Sequence, residues 1–249
     1  MTSQTLQPTT SPTASPTAGS RRRAAASAGR AYAAVIGALF VSAFFLYGIG
    51  FGLVTSVTGT PDYLANIVAQ RLTLTIGGFL MLLNSVAVVG LGVLFFPFLE
   101  QHGRHTAQAY LATRIVEGIL LAVGVIFLLT LLPLGQLSVE SGEASRSWAS
   151  GLGALLTQAN TLAYQLAMFS LGFGSLFLCA RLFRTRLIPR FLALWGFVGY
   201  AIFMTGAIAE IFGLPIGVML AIPGGLFELA VGLWLIVKGF QPAADSPTA

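Results

Sequence analysis

Four charged side chains lie inside long apolar runs of this 249-residue sequence, where water cannot solvate them. They are Arg114, Glu117, Glu210 and Glu228. A charge at the middle of a bilayer costs about 2.5 kcal/mol or more, so such residues mark sites that hold helices together or do chemistry. Carboxyl groups beside a guanidinium could bind a proton, an ion or a polar solute.

Three of these residues are expected to meet. Arg114 and Glu117 are three apart, which places them on one face of a helix. Counted from one end of their runs, they lie about 8 and 12 Å deep, and Glu228 lies about 14 Å from the same membrane face. We predict that Arg114 lies between Glu117 and Glu228 and ties the third run to the sixth. With all three ionised the cluster has one excess negative charge, and desolvation favours a proton on one carboxyl.

Two structural interpretations of this cluster stay open beside a substrate or proton role. It could be a packing clamp that fixes which helices pair, or Arg114 could extend to the cytoplasmic interface. Glu210, near the outer end of the fifth run, is a secondary candidate with an interfacial position. The other secondary candidates are polar residues of the second and fourth runs, which more often bond between helices than bind ligands. They are Asn84, Asn160 and Gln165, with Gln158 beside them.

Catalytic and cofactor signatures are absent from the sequence. There is no HExxH, no GxSxG, no phosphate-binding loop and no cysteine pair. His102 and His105 flank Arg104 in a predicted loop, and a metal site there would need more ligands and no adjacent cation. No catalytic residue, cofactor or metal is predicted, and an enzyme is the least favoured class.

The composition of the chain indicates whether lipid or water surrounds most of the protein. Hydrophobic residues make up 56% of the chain and charged residues 8%, against about 25% charged residues in a soluble domain. A span needs about 20 mostly apolar residues, and six runs reach that length. These runs are 31–54, 72–99, 109–132, 152–180, 191–212 and 216–237. We therefore predict an all-α integral membrane bundle of six transmembrane helices, located in the cell membrane.

The basic residues predict the orientation, because Lys and Arg are retained on the cytoplasmic side. One side holds most of them, and the other holds only Arg71 and Arg146. The N-terminus and the C-terminus are therefore predicted to be cytoplasmic. Aromatic residues near the predicted cytoplasmic ends, Tyr110 among them, resemble an interfacial belt.

The expected partner is the lipid bilayer, with anionic lipid contact at the four arginines of the fourth loop. These arginines are Arg181, Arg184, Arg186 and Arg190. Retention of this loop on the cytoplasmic side is by itself also sufficient to account for these arginines. The net charge of +5 requires no nucleic acid, and the sequence identifies no protein partner.

The remaining segments complete the predicted organisation. Residues 1–30 read as a disordered Thr/Ser/Pro-rich tail with a basic segment, 31–240 as the membrane domain, and 241–249 as a short tail. Thr60 and Pro61 predict the start of a short interfacial helix, with Thr60 as its cap. The stretch 134–150 reads as a solvated loop.

Four stretches resemble a bacterial family of uncharacterised multi-pass membrane proteins, domain of unknown function 4386. They are Pro61-Asp62-Tyr63-Leu64, Arg114-Ile115-Val116-Glu117-Gly118, Leu187-Ile188-Pro189-Arg190 with Trp195-Gly196, and Glu228 with Trp234-Leu235-Ile236-Val237-Lys238-Gly239-Phe240. The resemblance covers about Ala31 to Pro242 and implies a six-helix membrane domain. It implies no activity and no catalytic residue.

Two functions compete. A small-solute or proton-coupled transporter component predicts a polar cavity around Glu228, beside the helix break at Pro223-Gly224-Gly225. A membrane scaffold or sensor acting by helix association predicts a dry bundle with the charged cluster fully paired. The sequence shows no clear inverted repeat of the kind that many transporters have.

Overall fold

The computed structural model describes the backbone of residues 18–140 and 143–241. Side chains are described for residues 27–140, 147–217 and 219–241. Most of both predicted tails therefore lies outside the described residues. The last part of the predicted N-terminal tail is helical, because α1 begins at Ala18.

Seven helices and no strand make up the described residues. They are α1 (Ala18–Thr58), α2 (Tyr63–Ala69), α3 (Arg71–Glu100), α4 (Arg104–Glu140), α5 (Glu143–Thr185), α6 (Arg190–Ile211) and α7 (Gly217–Val237). All except α2 are long and apolar enough to cross a membrane. The predicted all-α bundle of six transmembrane helices is confirmed. Four predicted runs fall within one helix each, and the runs 191–212 and 216–237 extend beyond α6 and α7 by one residue each.

The six spans form a ring. Each spanning helix packs against the next one along the chain, and α7 closes the ring against α1. The part of α1 around Arg30 meets the end of α7 on one side, where Arg30 Nη2 donates to the Val237 carbonyl at 3.1 Å. We call this side, which also holds the α5–α6 loop with Arg181 to Arg190, the basic side. It is the predicted cytoplasmic side.

Glycines allow α1 to approach both of its neighbours. On the basic side, a Cβ atom at Gly232 of α7 would lie 3.0 Å from the Gly37 carbonyl of α1. Farther along α1, a Cβ at Gly50 would lie 2.7 Å from the Gly77 carbonyl of α3. Helices in lipid associate through such small residues because no hydrophobic force drives them together. α1 thus contacts α7 closely at Gly37, and it packs against α3 along much of its length, from the Tyr32–Leu94 hydrogen bond to Gly50.

Two local predictions were wrong in detail. The short helix α2 exists, but it begins at Tyr63 with Asp62 rather than Thr60 at its N-cap position. The predicted loop 134–150 is largely helical, because α4 continues to Glu140 and α5 begins at Glu143. The reason is that α2 packs along the end of α4, so that Leu134 stays buried beyond the predicted span.

Candidate functional site

Arg114 is the centre of a buried polar cluster. Its side chain is 1% exposed and that of Glu117, one turn along α4, is 2% exposed. The guanidinium donates from Nη1 to Glu117 Oε2 at 3.1 Å and from Nε to the Tyr110 hydroxyl at 2.9 Å. Its carbon also lies 5.2 Å from the centre of the Tyr110 ring, within cation–π range. The guanidinium is held by its own helix, and it does not reach the membrane interface.

Glu228 joins this cluster from α7. Its Oε1 lies 3.8 Å from Arg114 Nη2, which is an ion pair without a hydrogen bond. The Tyr200 hydroxyl of α6 donates to the same Oε1 at 2.8 Å. The structure thus brings together Arg114, Glu117 and Glu228, and it links α4, α6 and α7 through them. Glu228 is the most accessible of the three, with 20% of its side chain exposed.

A cavity of about 420 Å³ reaches this cluster from the centre of the ring. Its wall is mostly apolar, and every spanning helix contributes to it. Its lining also includes several polar side chains, namely Arg114, Glu117, Glu228, Asn84, Tyr47, Tyr164 and Tyr200. An apolar cavity of this size with a few convergent polar groups is typical of a small-molecule binding site.

Stacked aromatic rings close the cavity toward the basic side. Phe95 contacts both Phe40 and Tyr110 edge to face, with centroids 6.0 and 5.7 Å apart. Phe240 stacks on Phe98 at 4.1 Å. The chain returns beneath the bundle because Gly239 takes a φ of +73°, a conformation that glycine adopts without a Cβ clash.

The cavity opens laterally between α1 and α7. Its wall there includes Phe44, Ile222 and Leu226, which are all exposed large apolar side chains. The predicted break at Pro223-Gly224-Gly225 forms this edge, although α7 stays helical through it. The tight contact between Gly37 of α1 and Gly232 of α7 lies on the basic side of this opening. The mouth therefore faces the apolar part of the bilayer.

The secondary candidates have different positions. Asn84 lines the cavity and is 4% exposed, and its amide makes no hydrogen bond to any described residue. Asn160 and Gln165 do not line this cavity; the Asn160 amide packs near Gly124 of α4. Glu210 accepts a hydrogen bond from the Gly217 backbone N–H at 3.0 Å and so caps the first turn of α7. Of these, only Asn84 belongs with the cluster.

Tyrosines are the polar residues that the sequence did not single out. Tyr110 was predicted at the interface, yet it is fully buried beneath Arg114. Its spacing of four residues from Arg114 could have placed it on the same helix face. Tyr200 carried no such signal, because its partner Glu228 is 28 residues away on another helix.

The architecture and the site define a multi-pass helical membrane protein with a buried ion cluster beside a central cavity. The family described as Domain of unknown function (DUF4386) matches residues 35–239. This chain belongs to that family, as its resembling stretches predicted. Comparison with curated proteins and with solved structures finds no match.

Proposed function

We propose that this protein is a small-solute or proton-coupled transporter component of the cell membrane, built around Arg114, Glu117 and Glu228. One observation carries the proposal, namely that a cavity of about 420 Å³ reaches Glu228 within the spanning region. Intramembrane carboxyls that line a cavity are typical of solute and proton pathways. Glu228 would carry the proton, since it is the most exposed member of the cluster.

The test is solute-dependent proton movement into liposomes that contain the purified full-length protein and an internal pH dye. A panel of small solutes is added in turn, and at least one is expected to change the internal pH. Glu228→Gln should abolish the response. Glu140→Gln, the same chemical change at an exposed position outside the cavity, should preserve it. No response to any solute, or an equal response from Glu228→Gln, would contradict the proposal.

The alternative is a membrane scaffold or sensor in which the cluster serves as a clamp. The paired state of Arg114, with hydrogen bonds to both Glu117 and Tyr110, favours it. If the cluster is a clamp, Glu228→Gln should destabilise the bundle as much as Arg114→Gln does. A side chain that fills the cavity should then leave the scaffold or sensor activity unchanged. Comparing unfolding of the two variants in detergent separates the functions.

We also propose contact with anionic lipid at the α5–α6 loop. Arg184, Arg186 and Arg190 are exposed, and Arg190 lies 5.4 Å over the Phe183 ring. Arg181 is partly buried and donates to Thr106 at 3.4 Å, which leaves it less available. Phosphatidylglycerol should raise the melting temperature more than phosphatidylcholine does. That difference should vanish when the three exposed arginines are changed to Gln; a difference that persists would contradict the contact.

The predicted orientation follows from the same charges. A reporter that is active only outside the cytoplasm, fused after Phe240, should be inactive. The same reporter inserted after Thr58 should be active, because that residue ends α1 on the opposite side. The reverse pattern would show that the basic side faces outward.

A further inference from the structure

Resting on the transport function proposed above, we infer that the cavity binds an apolar organic cation of single charge, with Glu228 as its counter-ion. The cation enters from the bilayer through the mouth between α1 and α7.

The exposed fraction of each charged side chain determines which charge a ligand in the cavity would meet. Arg114 is 1% exposed, and its Nη2, which makes no hydrogen bond, is itself buried. Its positive charge is matched by Glu117, which is 2% exposed and hydrogen-bonded to it. Glu228 is 20% exposed and receives no hydrogen bond from Arg114. The negative charge of Glu228 is therefore the one that the cavity presents to a ligand.

The rest of the wall suits an apolar cation rather than a metal ion. Aromatic rings line the cavity on several helices: Phe40, Phe44, Tyr47, Tyr164, Tyr200 and Phe203. Their faces attract organic cations, more strongly where water is excluded. Three neutral polar side chains of the lining, Asn84, Tyr47 and Tyr164, make no hydrogen bond to any described residue and are free to serve a ligand. Neutral amide and hydroxyl groups beside one accessible carboxylate suit an organic cation better than a small hydrated ion, which prefers several charged or carbonyl oxygen ligands.

The mouth explains how such a ligand would arrive. Apolar cations concentrate in the bilayer, and the cavity opens beside the exposed side chains of Phe44, Ile222 and Leu226. The Phe44 ring lies 3.5 Å from the place where a Cβ on Gly225 would stand. The Phe44 ring therefore packs against α7 at the edge of the mouth. A cation that takes the place of the proton on Glu228 releases one proton, so charge balances without any other ion.

Binding by the purified full-length protein in detergent tests the ligand class with two probes of one shape. Tetraphenylphosphonium is a cation, and tetraphenylborate is its anionic counterpart. Radiolabelled tetraphenylphosphonium is expected to bind saturably at one site per chain, more weakly as the pH falls, while tetraphenylborate does not compete. Saturable binding of tetraphenylborate alone would assign the site to anions, and failure of both probes to bind would refute the inference.

Two pairs of variants locate the site. Glu228→Gln should weaken tetraphenylphosphonium binding by at least about tenfold, and Glu140→Gln should leave it unchanged. Gly48 lines the cavity, and a Cβ there or at Gly52, one turn along α1, meets nothing within 4 Å. Gly48→Leu should therefore block binding, and Gly52→Leu should not, with equal stability in both. Binding that survives Glu228→Gln and Gly48→Leu would place the probe elsewhere and overturn the inference.

Transport measurements distinguish the inferred ligand class from the proposed transport function on which it rests. If another solute moves protons through Glu228 while tetraphenylphosphonium does not bind, the inferred ligand class fails and the transporter stands. If tetraphenylphosphonium binds at Glu228 but enters liposomes that contain the protein no faster than protein-free liposomes, and no other solute moves protons, the site stands and the transport function fails.

Discussion

The two carboxylates of the cluster lie on opposite walls of one cavity and differ in almost every respect. Glu117, on the α4 wall, is 2% exposed and bonded to a guanidinium one turn away on its own helix. Glu228, on the α7 wall, is 20% exposed, 3.8 Å from the same guanidinium and held by a tyrosine of α6. One carboxylate neutralises a buried charge, and the other faces the space where a ligand would sit.

This difference suggests a division of roles between the walls. The pairing on α4 is local, so it persists whether or not α7 moves. The contact with Glu228 crosses between helices at a distance too long for a hydrogen bond, so it is easily exchanged for another cation. The α4 wall is then the fixed part of the site and the α7 wall the responsive part, a contrast that stability measurements can test.

The largest effect is expected from Arg114→Gln. Removing the guanidinium leaves Glu117 buried without a counter-charge, which costs about 3–5 kcal/mol in well-packed interiors. Reversible unfolding in mixed detergent micelles measures the loss. A variant as stable as the parent would show that the α4 wall does not depend on this pairing, and the contrast between the walls would fail.

Glu117→Gln and Glu228→Gln compare the walls directly. The first removes the close charged partner of a fully buried Arg114 and should cost about 1–3 kcal/mol. The second removes a longer contact at a partly exposed side chain and should cost less than about 1 kcal/mol. The same unfolding assay ranks the two variants. Equal losses would indicate that both carboxylates belong to one clamp.

Some features of the two walls could be predicted from the sequence and others could not, and the difference is whether they depend on local quantities or on helix packing. The spans, the cluster on α4 and its meeting with Glu228 rest on hydropathy, helical spacing and depth, which are local quantities. The cavity and its mouth depend on how α1 packs against both α3 and α7, and the close glycine contacts of that packing are Gly37–Gly232 and Gly50–Gly77. Glycine is so common in this chain that no spacing distinguished these contacts. Tyr200 was missed because its role arises only when α6 and α7 pack.

The contact between Gly37 and Gly232, which joins α1 to α7, provides a further test. A side chain at Gly232 would meet the Gly37 carbonyl and Val41, both 3.0 Å from its Cβ. Gly232→Leu should therefore destabilise the bundle by about 1–3 kcal/mol through overpacking. Gly48→Leu, where an added Cβ meets nothing within 4 Å, is the control and should leave stability nearly unchanged. If the two variants unfold alike, α1 and α7 are not held together on the basic side.

The smallest effect concerns how the α7 wall is anchored at its far end. Glu210 accepts the Gly217 N–H at the first turn of α7, where a negative charge also interacts favourably with the helix dipole. Glu210→Gln keeps a hydrogen-bond acceptor but removes the charge, so it should cost about 0.3–1 kcal/mol. Glu210→Ala removes both and should cost somewhat more, about 0.5–2 kcal/mol. Detergent unfolding ranks these variants against the parent, with Glu140→Gln as the neutral reference. A loss from Glu210→Gln larger than that from Glu117→Gln would reverse the contrast, because the α7 wall would then be the more firmly held of the two.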